Sequence, residues 1–146
     1  MDITKPHLSN LNEDQFLSGK ICYAIDKGTI RIGRKNAEPK NDIEIMGHSV
    51  LPLLAAINCL EEDNKHVIVP KSDPNAEGAT SDNFVYLNGQ LLTEETELVN
   101  MDRLKFGVNS IFLVMIPGGE QRPRDDNFEI NWEYAQQELY ILKEKQ

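Results

Sequence analysis

The stretch from Phe84 to Leu92 constrains the fold of this chain more than any other. Asn88 and Gly89 separate two runs of β-forming residues, Phe84–Leu87 and Gln90–Leu92. An Asn-Gly pair between such runs is the strongest short signal for a two-residue hairpin turn, because both residues tolerate a positive φ. The chain is therefore expected to contain antiparallel β-structure.

Similar short runs recur along most of the chain. The sequence predicts further strands at 20–25, 29–32, 42–45, 55–60, 65–69, 103–106 and 111–116. Asp26-Lys27-Gly28 is a turn signal that would join the first two of these strands in a hairpin. Many short strands without intervening helices favour an antiparallel sandwich. We expect residues 20–116 to form one sandwich with a core that includes Ile21, Ile30, Ile32, Ile43 and Ile57.

The ends of the chain differ from this middle part. Residues 1–19 lack a sustained period and are expected to form an extended or irregular segment that packs on the sandwich. The sandwich itself is assigned to 20–119, and the polar stretch 120–130 is assigned to a linker. Residues 131–146 are predicted to form a helix, with Asn131 as its N-cap.

The predicted helix carries one apolar stripe. Trp132, Ala135, Leu139 and Leu142 are spaced three, four and three residues apart, as in the seam of a coiled coil. So short a helix is not stable alone, so we expect it to dock on its own sandwich or against a second copy of the chain. We favour docking with self-association, with Trp132 as the anchor.

Composition excludes several classes of function. A net charge of −9 argues against nucleic acid or anionic lipid as the main partner. No apolar run is long enough for a membrane span, and the N-terminus lacks a secretory pattern. Cys22 and Cys59 lie in apolar runs, which favours free thiols in the cytoplasm over a disulfide. No residues are spaced for catalysis, a metal or a cofactor, so a binding or scaffolding module is indicated.

One basic region stands out in this acidic chain. Five Lys or Arg residues and one Glu lie between Lys27 and Lys40. Arg34 and Lys35 follow Gly33, where the predicted strand stops, and a guanidinium group matches phosphate in shape. The region is either a solvated strand face or an anion site.

Several motifs connect the chain to a known family. The predicted sandwich, Gly33-Arg34 and Asn88-Gly89 together resemble a forkhead-associated (FHA) domain. Four segments, in order, look like the FHA region of kinesin-3 motors: PHLSNLNED (6–14), GTIRIGR (28–34), DIEIMGH (42–48) and INWEYAQQEL (130–139). The resemblance implies an all-β, antiparallel FHA-type sandwich of about eleven strands with loops at one end that read phosphothreonine. It also implies a coiled coil that begins at the C-terminal helix, and a parent motor whose ATPase lies outside this chain.

The resemblance also assigns site residues. Arg34 and Asn83 match positions that contact the phosphopeptide, and Lys35 is a plausible helper. Leu51 and Leu54 occupy the positions where such sites usually have Ser and His. A hydrogen bond to a charged group contributes roughly 1.5–3 kcal/mol, so loss of the Ser would weaken phosphopeptide binding about ten- to a hundredfold.

The expected function follows from this balance. We expect a largely phospho-independent interaction module that contributes to dimerisation, autoinhibition or cargo-adaptor binding of a microtubule motor. A weak phosphothreonine reader is the alternative. The expected partners are the neighbouring coiled coil or motor domain, a cargo or adaptor protein, and a second copy of the chain. Nucleic acid and direct membrane insertion are not expected. The expected location is the cytoplasm and its microtubules, including those of an axon or a cilium.

Overall fold

A computed structural model describes the backbone of residues 2–60 and 62–144, and the side chains of 2–60 and 62–140. This part of the chain contains eleven β-strands, a 3-10 turn at Ser81–Asn83 and one α-helix. The strands are β1 (His7–Leu11), β2 (Cys22–Ala24), β3 (Thr29–Arg34), β4 (Ile43–Ile45), β5 (Ala55–Leu60), β6 (Lys65–Pro70), β7 (Val85–Leu87), β8 (Gln90–Leu91), β9 (Thr96–Leu98), β10 (Arg103–Phe106) and β11 (Ser110–Met115). The helix is α1 (Trp132–Glu144).

The strands form two sheets that pack as a sandwich. One sheet has the order β2-β1-β11-β10-β7-β8, and the other has the order β4-β3-β5-β6-β9. Neighbouring strands are antiparallel except β3 and β4, which are parallel. The predicted fold class, an FHA-type sandwich of about eleven strands with a C-terminal helix, is confirmed. The predicted hairpin of β7 and β8 is present, with positive φ at both Asn88 and Gly89.

The core lies between the two sheets and is built from aliphatic and aromatic side chains of both. Ile32, Ile43 and Ile57 are fully buried there, as predicted, and Ile30 packs against the core while partly exposed. Ile21 is a wrong prediction, because its side chain is 51% exposed. β2 begins only at Cys22, so Ile21 precedes the strand. The alternation of side chains in a strand, which would have placed Ile21 on the buried face, therefore does not apply to it.

The predicted hairpin between the strands at 20–25 and 29–32 is also wrong. β2 pairs with β1 in one sheet, whereas β3 pairs with β4 and β5 in the other. The turn that ends at Gly28, which has a φ of 63°, therefore crosses between the sheets. β2 takes β1 as its partner, and the local turn signal could not reveal that distant strand.

The N-terminal segment is not irregular throughout, because residues 7–11 form β1. This strand lies between β2 and β11, with Leu8 opposite Val114 and fully buried. The predicted linker is held to the sandwich as well. Arg122 donates through Nε to Oδ1 of Asp102 (2.8 Å), and this hydrogen bond raises the pKa of Arg122. No helix in the described part of the chain is both long and apolar enough to cross a bilayer.

Burial of one histidine predicts a pH-dependent stability. His66 of β6 is 2% exposed, and burial lowers its pKa although Asp26 and Glu97 oppose the shift. The unfolded chain therefore binds a proton at a higher pH than the folded chain, so stability is present above the ordinary histidine pKa of about 6.5 and is lost as pH falls below it.

We expect His66→Gln to reduce the loss of unfolding free energy between about pH 7.5 and about pH 5, because glutamine does not titrate. Urea unfolding at several pH values measures this loss. His48→Gln is the matched control, since His48 is exposed, and it should keep the full pH dependence. Equal pH dependence in the two variants would contradict the prediction.

Candidate functional site

Three loops meet at one end of the sandwich, where β3, β4 and β6 end. They comprise residues 35–42, 46–54 and 71–84, and we call this region the loop end. The backbone N–H of Arg34 donates to the carbonyl of Leu51 (3.0 Å). The backbone N–H of Leu51 in turn donates to Oδ1 of Asn83 (2.7 Å). The structure thus brings together Arg34, Leu51 and Asn83, which are distant in the sequence.

Asn83 acts as a clamp within this end of the molecule. Its side chain is 9% exposed and binds the 46–54 loop twice, because Nδ2 also donates to the carbonyl of Ser49 (2.8 Å). Its own carbonyl accepts from the hydroxyl of Ser72 (2.6 Å). The amide that the resemblance assigns to ligand contact is therefore engaged in holding the loop. Each of its two polar atoms retains one further hydrogen-bonding position.

The cations lie on the outside of this clamp. Arg34 ends β3, and its side chain and that of Lys35 are exposed. Gly33 allows the approach, because a Cβ there would overlap the carbonyl oxygen of Pro52 and lie 2.8 Å from Nδ2 of Asn41. Asn41 donates to the carbonyls of Arg34 (3.0 Å) and Pro52 (2.7 Å). Buried hydrogen bonds thus fix the backbone beneath two accessible positive charges.

The two leucines at the altered positions have different environments. Leu51 is 42% exposed and lines a depression of about 200 Å³ together with Asn83. Asp73 and Glu77 line the same depression, so negative charge accompanies the apolar surface. Leu54 is fully buried in the core. Its backbone N–H donates to the carbonyl of Ile32, and its carbonyl accepts from the backbone N–H of Lys71. Apolar packing therefore braces the loop where the resemblance would place an imidazole.

A second surface is formed where α1 lies on the outer face of the six-stranded sheet. Ile111 and Leu113 of β11 are 2% and 9% exposed, although neither belongs to the cluster between the sheets. A contact region there joins Ile111 and β10 to Ala135, Glu138 and Leu139 of the helix. Ala135 is 5% exposed. The helix thus docks on its own chain, one of the two predicted alternatives, and self-association stays a prediction.

An ion pair holds this docked helix. Arg103 of β10 donates from Nε and Nη2 to the two carboxylate oxygens of Glu138, at 3.0 and 2.9 Å. Both side chains are largely buried, with 10% and 15% exposed. Gly89 of the hairpin turn approaches the same helical turn, since a Cβ there would lie 2.9 Å from the carbonyl oxygen of Glu138.

Sequence reasoning did not identify Arg103, Glu138 or Gly89 as residues that contact each other where the helix docks. The available signal was Glu138 itself, which adjoins the apolar stripe between Ala135 and Leu139. A carboxylate on the docked side of a helix requires a buried partner.

The first turn of α1 is fixed by further contacts. Asn131 caps the helix as predicted, because its Oδ1 accepts from the N–H of Tyr134 (2.9 Å). The Tyr134 ring lies 5.2 Å from the guanidinium carbon of Arg103 and 5.1 Å from that of Arg124. Trp132 and Leu139 are partly buried, and the side chain of Leu142 lies outside the described residues.

The described residues include no group of three or more His, Cys, Asp or Glu that could hold a metal ion. No disulfide joins Cys22 and Cys59, and the thiol of Cys59 donates to the carbonyl oxygen of Asp26 (3.3 Å). What the site offers is an exposed pair of cations, an apolar rim and a braced loop, which suits binding.

The clamp leads to a stability prediction. Asn83→Ala leaves the N–H of Leu51 and the carbonyl of Ser49 without their partner, so we expect a loss of about 2–4 kcal/mol in unfolding free energy. Hydrogen exchange of the Leu51 amide should accelerate as well. Asn75→Ala, in the exposed part of the 71–84 loop, is the control and should change stability by less than about 0.5 kcal/mol. Unchanged Leu51 exchange in Asn83→Ala would refute the clamp.

Sequence comparisons agree with this geometry. The family model "FHA domain" matches residues 30–107. Kinesin-like protein unc-104 of Caenorhabditis elegans is 32% identical over 139 residues, which cover 92% of this chain and 8% of that protein. Kinesin-like protein KIF1A of Rattus norvegicus is 30% identical over 141 residues, with the same two coverages. The chain therefore spans 8% of the length of these relatives.

Solved structures share the fold at lower identity. The yeast Dun1 FHA domain, determined with a doubly phosphorylated peptide, is 21% identical and has a TM-score of 0.55, with coverage of 88% of this chain and 86% of that one. The MEK1 FHA domain is 16% identical with a TM-score of 0.59, and the match covers 78% and 91% of the two chains. The chain belongs to the FHA domain family, a family of protein-interaction modules, and is homologous to kinesin-like proteins of the kinesin-3 family.

Proposed function

We propose that this chain is a largely phospho-independent interaction module of a microtubule motor, and that it controls whether the helix after the sandwich is free to pair. The observation that carries this proposal is the burial of Ala135 against the chain's own sheet. Ala135 belongs to the stripe that a coiled coil would use. One helical face therefore serves two exclusive contacts.

The competition has a simple structural basis. In a coiled coil the apolar stripe faces a partner helix, and each stripe residue inserts between four residues of that partner. In the docked state Ala135 and Leu139 face the sheet instead. Dimerisation through this stripe requires the helix to leave the sheet and to break the pair of Arg103 and Glu138. Docking thus favours a monomeric, inhibited state, and undocking favours the dimer.

The loop end supports a second, weaker function. Arg34 and Lys35 are exposed, so both cations are accessible to a phosphate, and the Dun1 FHA domain, which shares the fold, was determined with a phosphorylated peptide. Leu51 offers no hydroxyl, and Asp73 and Glu77 add negative charge nearby. Phosphothreonine reading is therefore the second candidate, and the loop end suits a protein surface better than an isolated phosphate.

The role of the whole protein extends this proposal. The relatives are kinesin-like proteins of which this chain spans 8%. We infer a parent protein with a motor ATPase, a location on microtubules in the cytoplasm, and a cargo or adaptor among its partners. The neighbouring coiled coil or motor domain is the proposed intramolecular partner.

Release of the helix should promote self-association. Glu138→Ala leaves Arg103 buried without its partner, which costs about 3–5 kcal/mol in docking. We expect its light-scattering mass to rise from 16.6 kDa toward twice that value at a lower concentration than for the unmodified chain. Trp132→Ala removes the aromatic residue of the pairing stripe, so this variant should need a higher concentration than the unmodified chain to reach the dimer mass.

Gln137→Ala, on the exposed side of the helix, is the control for Glu138→Ala and should behave as the unmodified chain does. A Glu138→Ala chain that keeps the unmodified mass at every concentration would contradict the proposed competition.

Restoring a hydroxyl should restore phosphate preference. In Leu51→Ser, a hydroxyl stands close to Arg34, so we expect the ratio of affinities for a phosphothreonine peptide and the matched threonine peptide to rise about tenfold or more. Fluorescence anisotropy measures both affinities. Leu51→Ala removes the apolar bulk without adding a donor and should leave the ratio near that of the unmodified chain. A strong phosphopeptide preference in the unmodified chain, abolished by Arg34→Ala, would reverse the order of the two functions.

A further inference from the structure

A groove lies between the loop that follows β1 and the start of α1. Its volume is about 730 Å³, which makes it larger than the depression beside Leu51. It is lined by apolar residues from both segments and by acidic residues around them: Leu11, Phe16, Ile130 and Trp132, and Glu13, Asp14, Glu129 and Glu133. Within the described part of the chain, no Lys or Arg lines the groove.

The apolar surface of this groove is presented by an ordered loop. Phe16 is 77% exposed, although its backbone N–H is bonded to Oδ1 of Asp14 (2.9 Å). The N–H of Asn12 donates to the hydroxyl of Ser18 (2.8 Å), which closes the loop. Because the loop is already ordered, the exposed ring can contact a partner with little further loss of loop conformational entropy. Trp132, partly buried on the opposite side, supplies a second ring.

The charge of the groove selects the occupant. Four carboxylates surround the two rings, and none of them forms an ion pair among the described residues. The negative electrostatic potential of these carboxylates repels acidic peptides and anionic lipid, and it attracts Lys and Arg side chains. A cation that enters beside Trp132 also gains a cation–π contact, which is strongest with tryptophan.

We propose that this groove binds a basic amphipathic peptide segment of a partner protein. An apolar side chain of the segment packs between Phe16 and Trp132, while flanking Lys and Arg residues face the carboxylates. The groove is separate from the cations of the loop end and from the sheet face that holds Ala135. The inference therefore adds a third binding surface and does not rest on the proposed function.

The chain provides its own reporter, because Trp132 is its one tryptophan. The probe is a synthetic peptide in which Lys and Arg alternate with Leu, and the matched peptide has Glu in place of every Lys and Arg. We expect the basic peptide to produce a saturable change in Trp132 emission that weakens with added salt. The acidic peptide should produce none.

Variants decide whether the groove is responsible. Glu13→Lys with Glu129→Lys replaces two attractive contacts with repulsive ones, so we expect it to weaken binding of the basic peptide about two- to thirtyfold. Phe16→Ser should weaken it while preserving charge. The control, Glu95→Lys with Glu120→Lys, changes the net charge equally at exposed positions outside the groove. Isothermal calorimetry gives the affinities without depending on Trp132.

Three results would overturn the proposal. They are a flat titration by both methods, an equal loss in the groove and control variants, and unchanged affinity in Phe16→Ser. A second copy of this chain could also enter the groove through its basic residues Arg34 and Lys35. Light scattering at low salt tests for this self-association. Self-association that Glu13→Lys with Glu129→Lys abolishes, without any binding of the basic peptide, would assign the groove to that copy instead.

Discussion

Two neighbouring buried charges, Asp102 and Arg103, hold the C-terminal part of this chain on the sandwich. Asp102 is 1% exposed and accepts hydrogen bonds from Asn88, from the backbone of Val99 and from Arg122. Arg103 pairs with Glu138 of the helix. Buried charges are stable only when their partners are present, and removal of one partner is costly. The hairpin turn, the segment after the sandwich and the helix therefore depend on a single polar cluster.

The loop end is organised on a different principle. There the backbone is secured from inside by the Asn83 amide and by the packing of Leu54, and the cations of Arg34 and Lys35 stay outside. Leu51 shows the consequence, because both of its backbone polar groups are used for structure while its side chain is exposed. The region therefore combines a fixed backbone with two exposed cations and an exposed apolar side chain. In the proposed function, this surface contacts a protein partner through shape and apolar contact.

Three surfaces of one small domain thus have different characters. The loop end is cationic with an apolar rim, the outer sheet face is occupied by the helix, and the groove beside Phe16 is acidic and aromatic. The last two share α1, because Trp132 lines the groove while Ala135 lies on the sheet. Release of the helix would therefore alter both surfaces together. Under the proposed function, this shared helix would link partner binding in the groove to the docked or released state of the helix.

Local sequence by itself determined the Asn88-Gly89 hairpin, the burial of Ile32 and Ile57, and the cap of the helix at Asn131, because each depends on residues close together in the chain. The pattern of short strands indicated a sandwich, and the family resemblance added its FHA type and its number of about eleven strands. Tertiary structure alone decided the strand β1, the separation of β2 and β3 into two sheets, and the exposure of Ile21. It also decided the pairing of Arg103 with Glu138, 35 residues apart. Strand pairs and buried charge pairs form between segments that are distant in the sequence. A local pattern indicates that a strand or a charge needs a partner, but it does not identify that partner.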